Sequence, residues 1–274
     1  AACVDSSAIY CFAHPLTGGK QVVSESWRNL ISVGAKPLAI TNCLNFGNPE
    51  KPKVMGEFVE CIDGIKEACE YLNFPVVSGN VSFYNETNSK SIFPTPVIGG
   101  VGIIDNLKRI VNIKIKKTGN IILIIGKTHG HLDQSAFLQE NYSINEGPPP
   151  EINIVNEKNN GLAVLKLIKE NFVLSAHDIS TGGILVSLAE MSISSGLGLK
   201  INRPKKLVNS YEYFFGEDQG RYIIEVKPEN LENVENLLKK DSIHYDKLGL
   251  VESGNISYEN DLKISIDQIK EGYK

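Results

Sequence analysis

The sequence predicts an α/β protein made of two domains. The first hundred residues alternate segments with strand and helix patterns, ending in glycine-rich strand sequences. A lysine-rich segment at residues 110–119 then separates this part from a second series of strands and helices. A chain of 274 residues is long enough for two domains. We therefore expect domains at residues 1–112 and 113–274, each with a sheet covered by helices on one face.

In the first domain, residues 1–13 have the composition of a strand pair. Apolar residues at three- and four-residue steps predict amphipathic helices at residues 17–35, with Trp27 in the core, and at residues 52–71. Apolar runs predict strands at residues 38–44, 76–84 and 97–104, and Val76 and Val77 are interpreted as the end of a buried strand.

In the second domain, residues 120–126 predict a buried strand and residues 154–171 a helix. Residues 174–190 join the end of a strand to a helix, and residues 215–226 lead into an alternating strand. The spacing of His129 and His131 completes no metal-ligand set, which favours a surface loop there.

Composition excludes several classes of function. The net charge of −4 includes no long run of either sign, so no electrostatic footprint for nucleic acid or a membrane surface is present. The longest apolar runs, such as residues 121–125, are far too short for a membrane span. Five cysteines at no zinc-ligand spacing are typical of reduced, buried thiols in a cytosolic protein. The chain starts without methionine, and we expect a fragment of a longer polypeptide.

Two strands run into clusters of asparagine and glycine. Residues 40–52 read I-T-N-C-L-N-F-G-N-P-E-K-P, and residues 76–86 read V-V-S-G-N-V-S-F-Y-N-E. Gly79 alone is compatible with a β-bulge or with the close approach of a ligand. Because two strands carry such clusters, we expect Asn42, Gly79, Asn80 and Ser82 to lie close together at one edge of the first sheet, accessible to solvent.

Two further stretches carry polar groups. Residues 175–183, S-A-H-D-I-S-T-G-G, place backbone N–H groups at a helix N-terminus, which favours an anion; an Asp/Ser/Thr cap with a tight turn explains them equally well. Residues 215–222, F-G-E-D-Q-G-R-Y, form an acidic and amide cluster or a simple turn into an edge strand. The roles of His177, Asp178 and residues 217–219 stay open at this point.

Together the four stretches resemble the large synthetase subunit of phosphoribosylformylglycinamidine synthase, in order and over essentially the whole chain. That family's polypeptide is a tandem of two similar halves, each with an N-terminal α/β domain and a C-terminal α/β sandwich of the aminoimidazole-ribonucleotide-synthetase type. The chain resembles the second half, beginning partway into its N-terminal domain.

The resemblance implies an ATP-dependent carbon–nitrogen ligase of purine biosynthesis in the cytoplasm. Formylglycinamide ribonucleotide would be activated by ATP as an iminophosphate-type intermediate and would react with ammonia from glutamine to give the amidine. By resemblance, Asn42 and Gly79 contact ATP, Asn80 binds Mg²⁺ and Ser82 contacts the substrate. The implied partners are the first half of the polypeptide, a glutaminase subunit and a small accessory subunit.

The chain departs from the family pattern at several positions. Asn42 stands where many relatives have Asp, and Asp133 where relatives usually have Gly. The family's E-S-H-N-H-P motif is matched here by D-S-S-A-I-Y, beginning at Asp5, so both histidines are absent and the catalytic base is expected in the first half. We therefore expect the chain to be inactive alone.

Two alternatives remain open. One is a non-catalytic nucleotide-binding module that holds the same complex together. The other is a related enzyme of the same fold, such as aminoimidazole ribonucleotide synthetase, selenophosphate synthetase or thiamine-phosphate kinase. The second is the less favoured because the stretch at residues 40–52 is particular to the first family.

Overall fold

A computed structural model describes residues 1–202, 209–259 and 261–273. Its first part contains a four-stranded sheet with strand order β1-β6-β2-β3 and a small separate hairpin of β4 and β5. β2 and β3 run parallel, and the other pairs in the sheet are antiparallel. The elements are β1 (Ala2–Ser6), α1 (Ala8–Ala13), α2 (Pro15–Ser32), β2 (Lys36–Asn45), α3 (Pro52–Leu72), β3 (Val76–Ser82), β4 (Glu86–Thr87), β5 (Lys90–Ser91) and β6 (Thr95–Ile103).

Helices α2 and α3 cover one face of this sheet. Each helix begins with proline in its first turn, where the missing N–H costs nothing. α3 ends at Asn73, which adopts the left-handed conformation with φ 54°. The two helices approach closely through glycine: a Cβ at Gly19 would collide with the carbonyl of Cys61, and one at Gly64 with the carbonyl of Leu16.

The second part contains a mixed seven-stranded sheet with strand order β13-β12-β9-β11-β7-β10-β8. A short 3₁₀ helix at Leu107–Arg109 lies in the connection to it, and another lies at Pro228–Asn230. The remaining elements are β7 (Ile121–Ile125), α4 (Ala136–Tyr142), α5 (Ile154–Lys169), β8 (Val173–Asp178), α6 (Gly183–Ser195), β9 (Leu197–Ile201), α7 (Ser210–Phe215), β10 (Tyr222–Val226), α8 (Leu231–Lys240), β11 (Tyr245–Ser253), β12 (Asn255–Tyr258), β13 (Leu262–Ser265) and α9 (Ile266–Gly272).

Successive residues of β7 point to opposite faces of the second sheet, and the two faces belong to two different hydrophobic cores. Leu123 and Ile125 belong to a core shared with α2, α3, α5 and α8, whereas Ile122 and Ile124 belong to a core with α6 and α7. The second sheet is therefore covered on both faces, and the expectation of helices on one face only is wrong for it. The first core continues without interruption from the helices of the first sheet to the second sheet.

The α/β class is confirmed, and the three strands expected in the first sheet are present. Two local predictions are wrong. Residues 1–13 form one strand and a short helix, because Tyr10 and Cys11 are buried: Cys11 packs against Gly18 of α2, and the Tyr10 hydroxyl donates to Glu217. β3 is an exposed edge strand, with 70% of the surface of Val77 accessible. The domain boundary between residues 112 and 113 stays a prediction.

Within the described residues, no helix combines the length and the apolar composition that crossing a membrane requires. All five cysteines are free thiols, three of them buried and Cys3 and Cys43 partly exposed. Trp27 is buried in the first core, as expected for a core residue.

Candidate functional site

The four predicted site residues lie on two neighbouring strands, β2 and β3. In the parallel register Asn42 lies opposite Gly79, and Ser82 lies three residues further along β3, opposite Asn45. Asn80, the residue after Gly79, lies opposite Cys43. Gly79 and Asn80 are exposed, whereas Asn42 and Ser82 are partly buried. The four residues therefore lie on neighbouring strands at the edge of the first sheet, as expected, but a shared site stays a prediction because their side chains do not all face the same way.

The pleat of the sheet sends their side chains to different faces. Asn42 lines a groove of about 270 Å³ against α3, together with Ile62 and Ile65. A Cβ at Gly79 would collide with Oδ1 of Asn42, so Gly79 leaves room for that amide. Because alternate residues of a strand face opposite sides, Asn80 and Ser82 point to the open face. One ligand that contacts both Asn42 and Asn80 would have to pass around the edge strand β3.

The surroundings of Asn80 offer few ligands for a cation. Its neighbours on the open face are Ser78 and Ser82 of the same strand and Cys43 of β2. Among the described residues, no group of three or more His, Cys, Asp or Glu side chains could hold a metal ion. Mg²⁺ prefers six oxygen ligands. The chain therefore fits the ion only as the donor of a single amide oxygen.

Ser82 is fixed by a local network beyond the end of β3. The side-chain amide of Asn85 donates to Oγ of Ser82 at 3.2 Å and to the carbonyl of Phe46 at 2.9 Å. The backbone N–H of Phe46 donates to the carbonyl of Ser82 at 3.0 Å. This network positions the Ser82 hydroxyl at the end of both strands, next to the polar cluster that follows β2.

Glu86 anchors the N-P-E-K-P segment to the hairpin that follows β3. Its Oε1 accepts from Nζ of Lys51 at 2.7 Å, Oγ of Ser91 at 2.8 Å and the backbone N–H of Asn48 at 3.1 Å. These hydrogen bonds lower the pKa of Glu86 to about 2. Some of the polar residues that follow β2 and β3 therefore serve to hold these two loops together.

The open face of the first sheet is apolar at the end away from Asn80. Val4, Val101 and Ile103 lie on this face and are 73%, 45% and 50% exposed. Nothing in the described part of the chain covers them. Such a contiguous exposed apolar surface is typical of an interface.

Glu217 is the anion at the N-terminus of α6. Its Oε1 accepts from the backbone N–H of Gly182 at 2.8 Å and of Ala136 at 2.9 Å, and its Oε2 accepts from the hydroxyl of Tyr10. One backbone N–H of the S-A-H-D-I-S-T-G-G stretch, that of Gly182, therefore binds the protein's own carboxylate. The N-cap residue is Gly182 and the helix has no side-chain cap, so the alternative of an Asp/Ser/Thr cap is wrong.

Asp218 holds the loop after β7. Its carboxylate accepts from the backbone N–H groups of His129, Gly130 and His131 at 2.8, 2.9 and 3.2 Å. The strand that follows, β10, lies between β7 and β8, so the interpretation as an edge strand is wrong. Glu217 and Asp218 therefore organise the loops at this end of the second sheet.

His177 lies in a polar contact between β8 and α6. Its ring nitrogens lie 2.7 Å from Oε2 of Glu190 and 3.4 Å from Oδ1 of Asp178, and the hydroxyl of Tyr273 donates to Glu190. Burial disfavours the charged ring, but the hydrogen bonds to the two carboxylates outweigh burial and raise the pKa of His177 to about 9. The hydrogen bond from Tyr273 to Glu190 joins the end of α9 to α6.

A buried ion pair joins the two parts of the chain. Nη1 of Arg28 on α2 lies 2.9 Å from Oε2 of Glu157 on α5, and both side chains are fully buried. Nη2 of Arg28 also donates to Oε1 of Gln219 at 3.0 Å. Sequence reasoning missed this contact, although a signal was present: Arg28 occupies a position between Ser24 and Ile31 at the three- and four-residue steps of the buried face of α2.

Comparison with known proteins identifies the family. The model of the AIR synthase related protein N-terminal domain matches residues 1–104, and that of the AIR synthase related protein C-terminal domain matches residues 117–259. The chain belongs to the AIR synthase related protein family. The PurL subunit of phosphoribosylformylglycinamidine synthase from Pelagibacter ubique is 57% identical over 269 residues, which are 98% of this chain and 37% of that protein. The chain thus spans little more than a third of the length of this relative, and the resemblance stated above is confirmed.

Solved structures share the fold at low identity. Thermotoga maritima PurL complexed with FGAR superposes with a TM-score of 0.80 and 19% identity, over 98% of this chain and 45% of that chain. The same protein has also been solved with ATP and as PurLQS. Thiamine-monophosphate kinase from Stenotrophomonas maltophilia has a TM-score of 0.68 at 13% identity, over 94% of this chain and 84% of that chain.

Proposed function

We propose that this chain is the second synthetase half of phosphoribosylformylglycinamidine synthase. The whole enzyme would be an ATP-dependent ligase of purine biosynthesis that converts formylglycinamide ribonucleotide and ammonia from glutamine into the amidine. The observation that carries the proposal is the 57% identity to the Pelagibacter PurL subunit over 98% of the chain. The T. maritima neighbours solved with ATP and with FGAR support the same nucleotide and substrate.

In this proposal Asn42 and Gly79 contact ATP and Ser82 contacts the substrate. Gly79 lies on the exposed edge strand β3, where its missing side chain leaves room for the Asn42 amide beside the exposed backbone that the nucleotide would contact. Mg²⁺, when bound, neutralises charge on the phosphates. Asn80 donates one amide oxygen to the ion, and the remaining ligands come from phosphates, water or the other half of the enzyme. The fixed hydroxyl of Ser82 orients the substrate at the end of the two strands.

The first half of the polypeptide is the proposed partner of the open sheet face. Val4, Val101 and Ile103 expose apolar surface there, and burying such surface stabilises an interface by about 25 cal/mol per Å². The same partner would supply the catalytic base, since Ser7 and Ile9 occupy the positions of the two histidines of the family's motif. A glutaminase and a small accessory subunit complete the proposed complex, and PurLQS from T. maritima is the supporting neighbour. A cytoplasmic location is part of the proposal and agrees with five free cysteines.

A second candidate is a nucleotide-binding module that only holds the complex together. One observation favours it: the asparagines that follow β2 and β3 are engaged in local hydrogen bonds, with Asn48, Asn85 and Glu86 joining two loops. The thiamine-phosphate kinase alternative has only the shared fold in its support, at 13% identity.

The test measures turnover of formylglycinamide ribonucleotide with ATP, ammonia and saturating Mg²⁺. We expect no turnover by the isolated chain. We expect the full-length protein with Asn80→Ala to lose about 10²- to 10³-fold in kcat, because a positioned group that neutralises developing charge contributes that much. Asn233→Ala, an exposed change on α8, is the matched control and should leave kcat unchanged.

The outcomes separate the two candidates. Turnover by the isolated chain at a rate close to that of the full-length protein would contradict the half-enzyme proposal. Near-normal turnover by Asn80→Ala would remove Asn80 from the chemistry and favour the binding module.

A further inference from the structure

A cavity of about 560 Å³ lies at one end of the second sheet, away from the four residues on β2 and β3. Its walls are the loop after β7, the loop before β10, the first two turns of α5 and the turn between α8 and β11. This volume falls within the range of small-molecule sites, roughly 300–1,000 Å³. None of Asn42, Gly79, Asn80 and Ser82 lines it.

The walls of the cavity are held in place by hydrogen bonds. Asp218 fixes the loop after β7 through three backbone N–H groups, and Nη1 of Arg221 donates to Oγ1 of Thr128 in the same loop at 3.1 Å. A ring nitrogen of His131 lies 3.0 Å from the carbonyl oxygen of Pro148. The cavity is therefore formed before any ligand enters.

A row of four asparagines lines the cavity from one side of α5: Asn153, Asn156, Asn159 and Asn160. Asparagine is favoured at an N-cap but is a weak helix former inside a helix, so helix propensity does not explain the three asparagines that follow Asn153. Asn153 caps the helix and Asn160 donates to the carbonyl of Gly220 at 2.9 Å. Within the described residues, the side chains of Asn156 and Asn159 make no hydrogen bond, so their amides are available to hydroxyl groups in the cavity.

Charged groups lie on different walls. Lys127 and the imidazole of His129 lie on the loop after β7, and neither side chain has a partner in the part of the chain that the structure describes. The N-terminus of α5 adds positive potential to the same cavity. The charge of Asp218 is already compensated by its three N–H donors and by Arg221 at 3.7 Å. Glu151, on the segment that enters α5, has no side-chain partner among residues 1–202, 209–259 and 261–273, and it can accept from hydroxyl groups.

We propose that this cavity binds a sugar phosphate. Lys127 and His129 bind the phosphate group, and Asn156, Asn159 and Glu151 bind the sugar hydroxyls. Amide and carboxylate side chains exchange hydrogen bonds with vicinal hydroxyls, while a phosphate dianion pairs with the Lys127 ammonium and accepts from a ring N–H of His129. The site is separate from the proposed ligase residues, and its test does not depend on turnover.

The experiment follows histidine ring signals by NMR while ribose 5-phosphate is added to the 274-residue chain. Three of the five histidines, His129, His131 and His244, line the cavity, so His14 and His177 are internal controls. We expect saturable shifts of the three cavity signals and none of the two controls. Ribose without phosphate should bind at least about tenfold more weakly, because it lacks a charge-assisted contact worth about 1.5–3 kcal/mol.

Two variants sharpen the test. Lys127→Ala should weaken binding about tenfold or more, whereas Lys117→Ala, an exposed lysine on the connection before β7, should leave it unchanged. Asn159→Ala should weaken binding without lowering the unfolding temperature, because alanine is the better helix former. The proposal is overturned if the cavity signals do not saturate, if ribose alone binds equally well, or if Lys127→Ala and Lys117→Ala behave alike.

Discussion

The two sheets of this molecule differ in how many of their faces are covered by helices. The second sheet has helices on both faces, and its strand β10, between β7 and β8, is buried at every position. The first sheet has helices on one face only, and its edge strand β3 is exposed at six of seven positions. The second sheet therefore acts as a scaffold covered on both faces, one of which it shares with α2 and α3. The first presents a surface, and the predicted site residues lie at the polar end of that surface.

The polar groups follow the same division. In the second part, Glu217, Asp218 and His177 are each satisfied by partners within the chain. On the first sheet, by contrast, Asn80 points to the open face opposite Cys43, and its side chain makes no hydrogen bond within the described residues. Arg28 joins the two regions, since it reaches from α2 to Glu157 on α5. The comparison predicts that substitutions at the junction and in the second sheet lower the free energy of unfolding of the chain. Substitutions on the open face should instead weaken association with the proposed partner.

The largest effect is expected at the junction. Arg28→Met leaves the carboxylate of Glu157 buried without its partner, and breaking a buried pair in this way costs about 3–5 kcal/mol. Denaturant unfolding of the chain measures the loss. The double variant Arg28→Met/Glu157→Leu removes both charges and should recover most of the stability. A single variant that costs less than about 1 kcal/mol would mean that the pair does not hold the two regions together.

A matched pair of isoleucines tests the two sheets directly. Ile224 on β10 is fully buried and Ile103 on β6 is 50% exposed. Ile224→Ala should destabilise the chain by about 2–5 kcal/mol because it opens a cavity in the first core. Ile103→Ala should cost no more than about 0.5 kcal/mol in the isolated chain. If both variants lost similar stability in denaturant unfolding, the open face would be covered in solution.

The smallest effect concerns pH. The pKa of His177 is raised from 6.5 to about 9 in the folded chain, so the folded state holds this proton more tightly than the unfolded state does. Its stabilisation is fully present below pH 6.5 and is lost as the pH rises through 9. The shift corresponds to about 3 kcal/mol. The stability difference between the native chain and His177→Gln should therefore shrink between pH 6.5 and 9.

His244→Gln is the control for that measurement, since His244 is exposed and pairs only with Asp246 at 3.2 Å. Its stability difference from the native chain should be small at every pH, as is usual for exposed pairs. A His177→Gln difference that stayed constant from pH 6 to 9 would contradict the charged state of the His177–Glu190 contact.

Much of the fold could be predicted from local pattern. Helices α2, α3 and α5 carry apolar residues at three- and four-residue steps, and strands β2, β3, β6 and β7 are apolar runs with glycine or proline near them. The helix α1 could not be predicted, because A-I-Y-C-F-A has no polar residue to reveal a period. The exposure of Val77 could not be predicted either, since an apolar sequence does not indicate whether its strand lies at the edge or in the middle of a sheet.

The sequence by itself determined the fold class, the order of elements and the pair of strands that carries Asn42, Gly79, Asn80 and Ser82, since these depend on periodicity and on local clusters of polar residues. Only the tertiary structure decided which face each residue occupies. The parallel register of β2 and β3 sends Asn42 towards α3 and Asn80 to the open face. It also decided that Glu217 occupies the helix terminus where an external anion was one possibility, and that Arg28 meets Glu157 across 129 residues of chain. Contacts between residues so far apart in sequence leave no local pattern, because they arise only when separate elements pack.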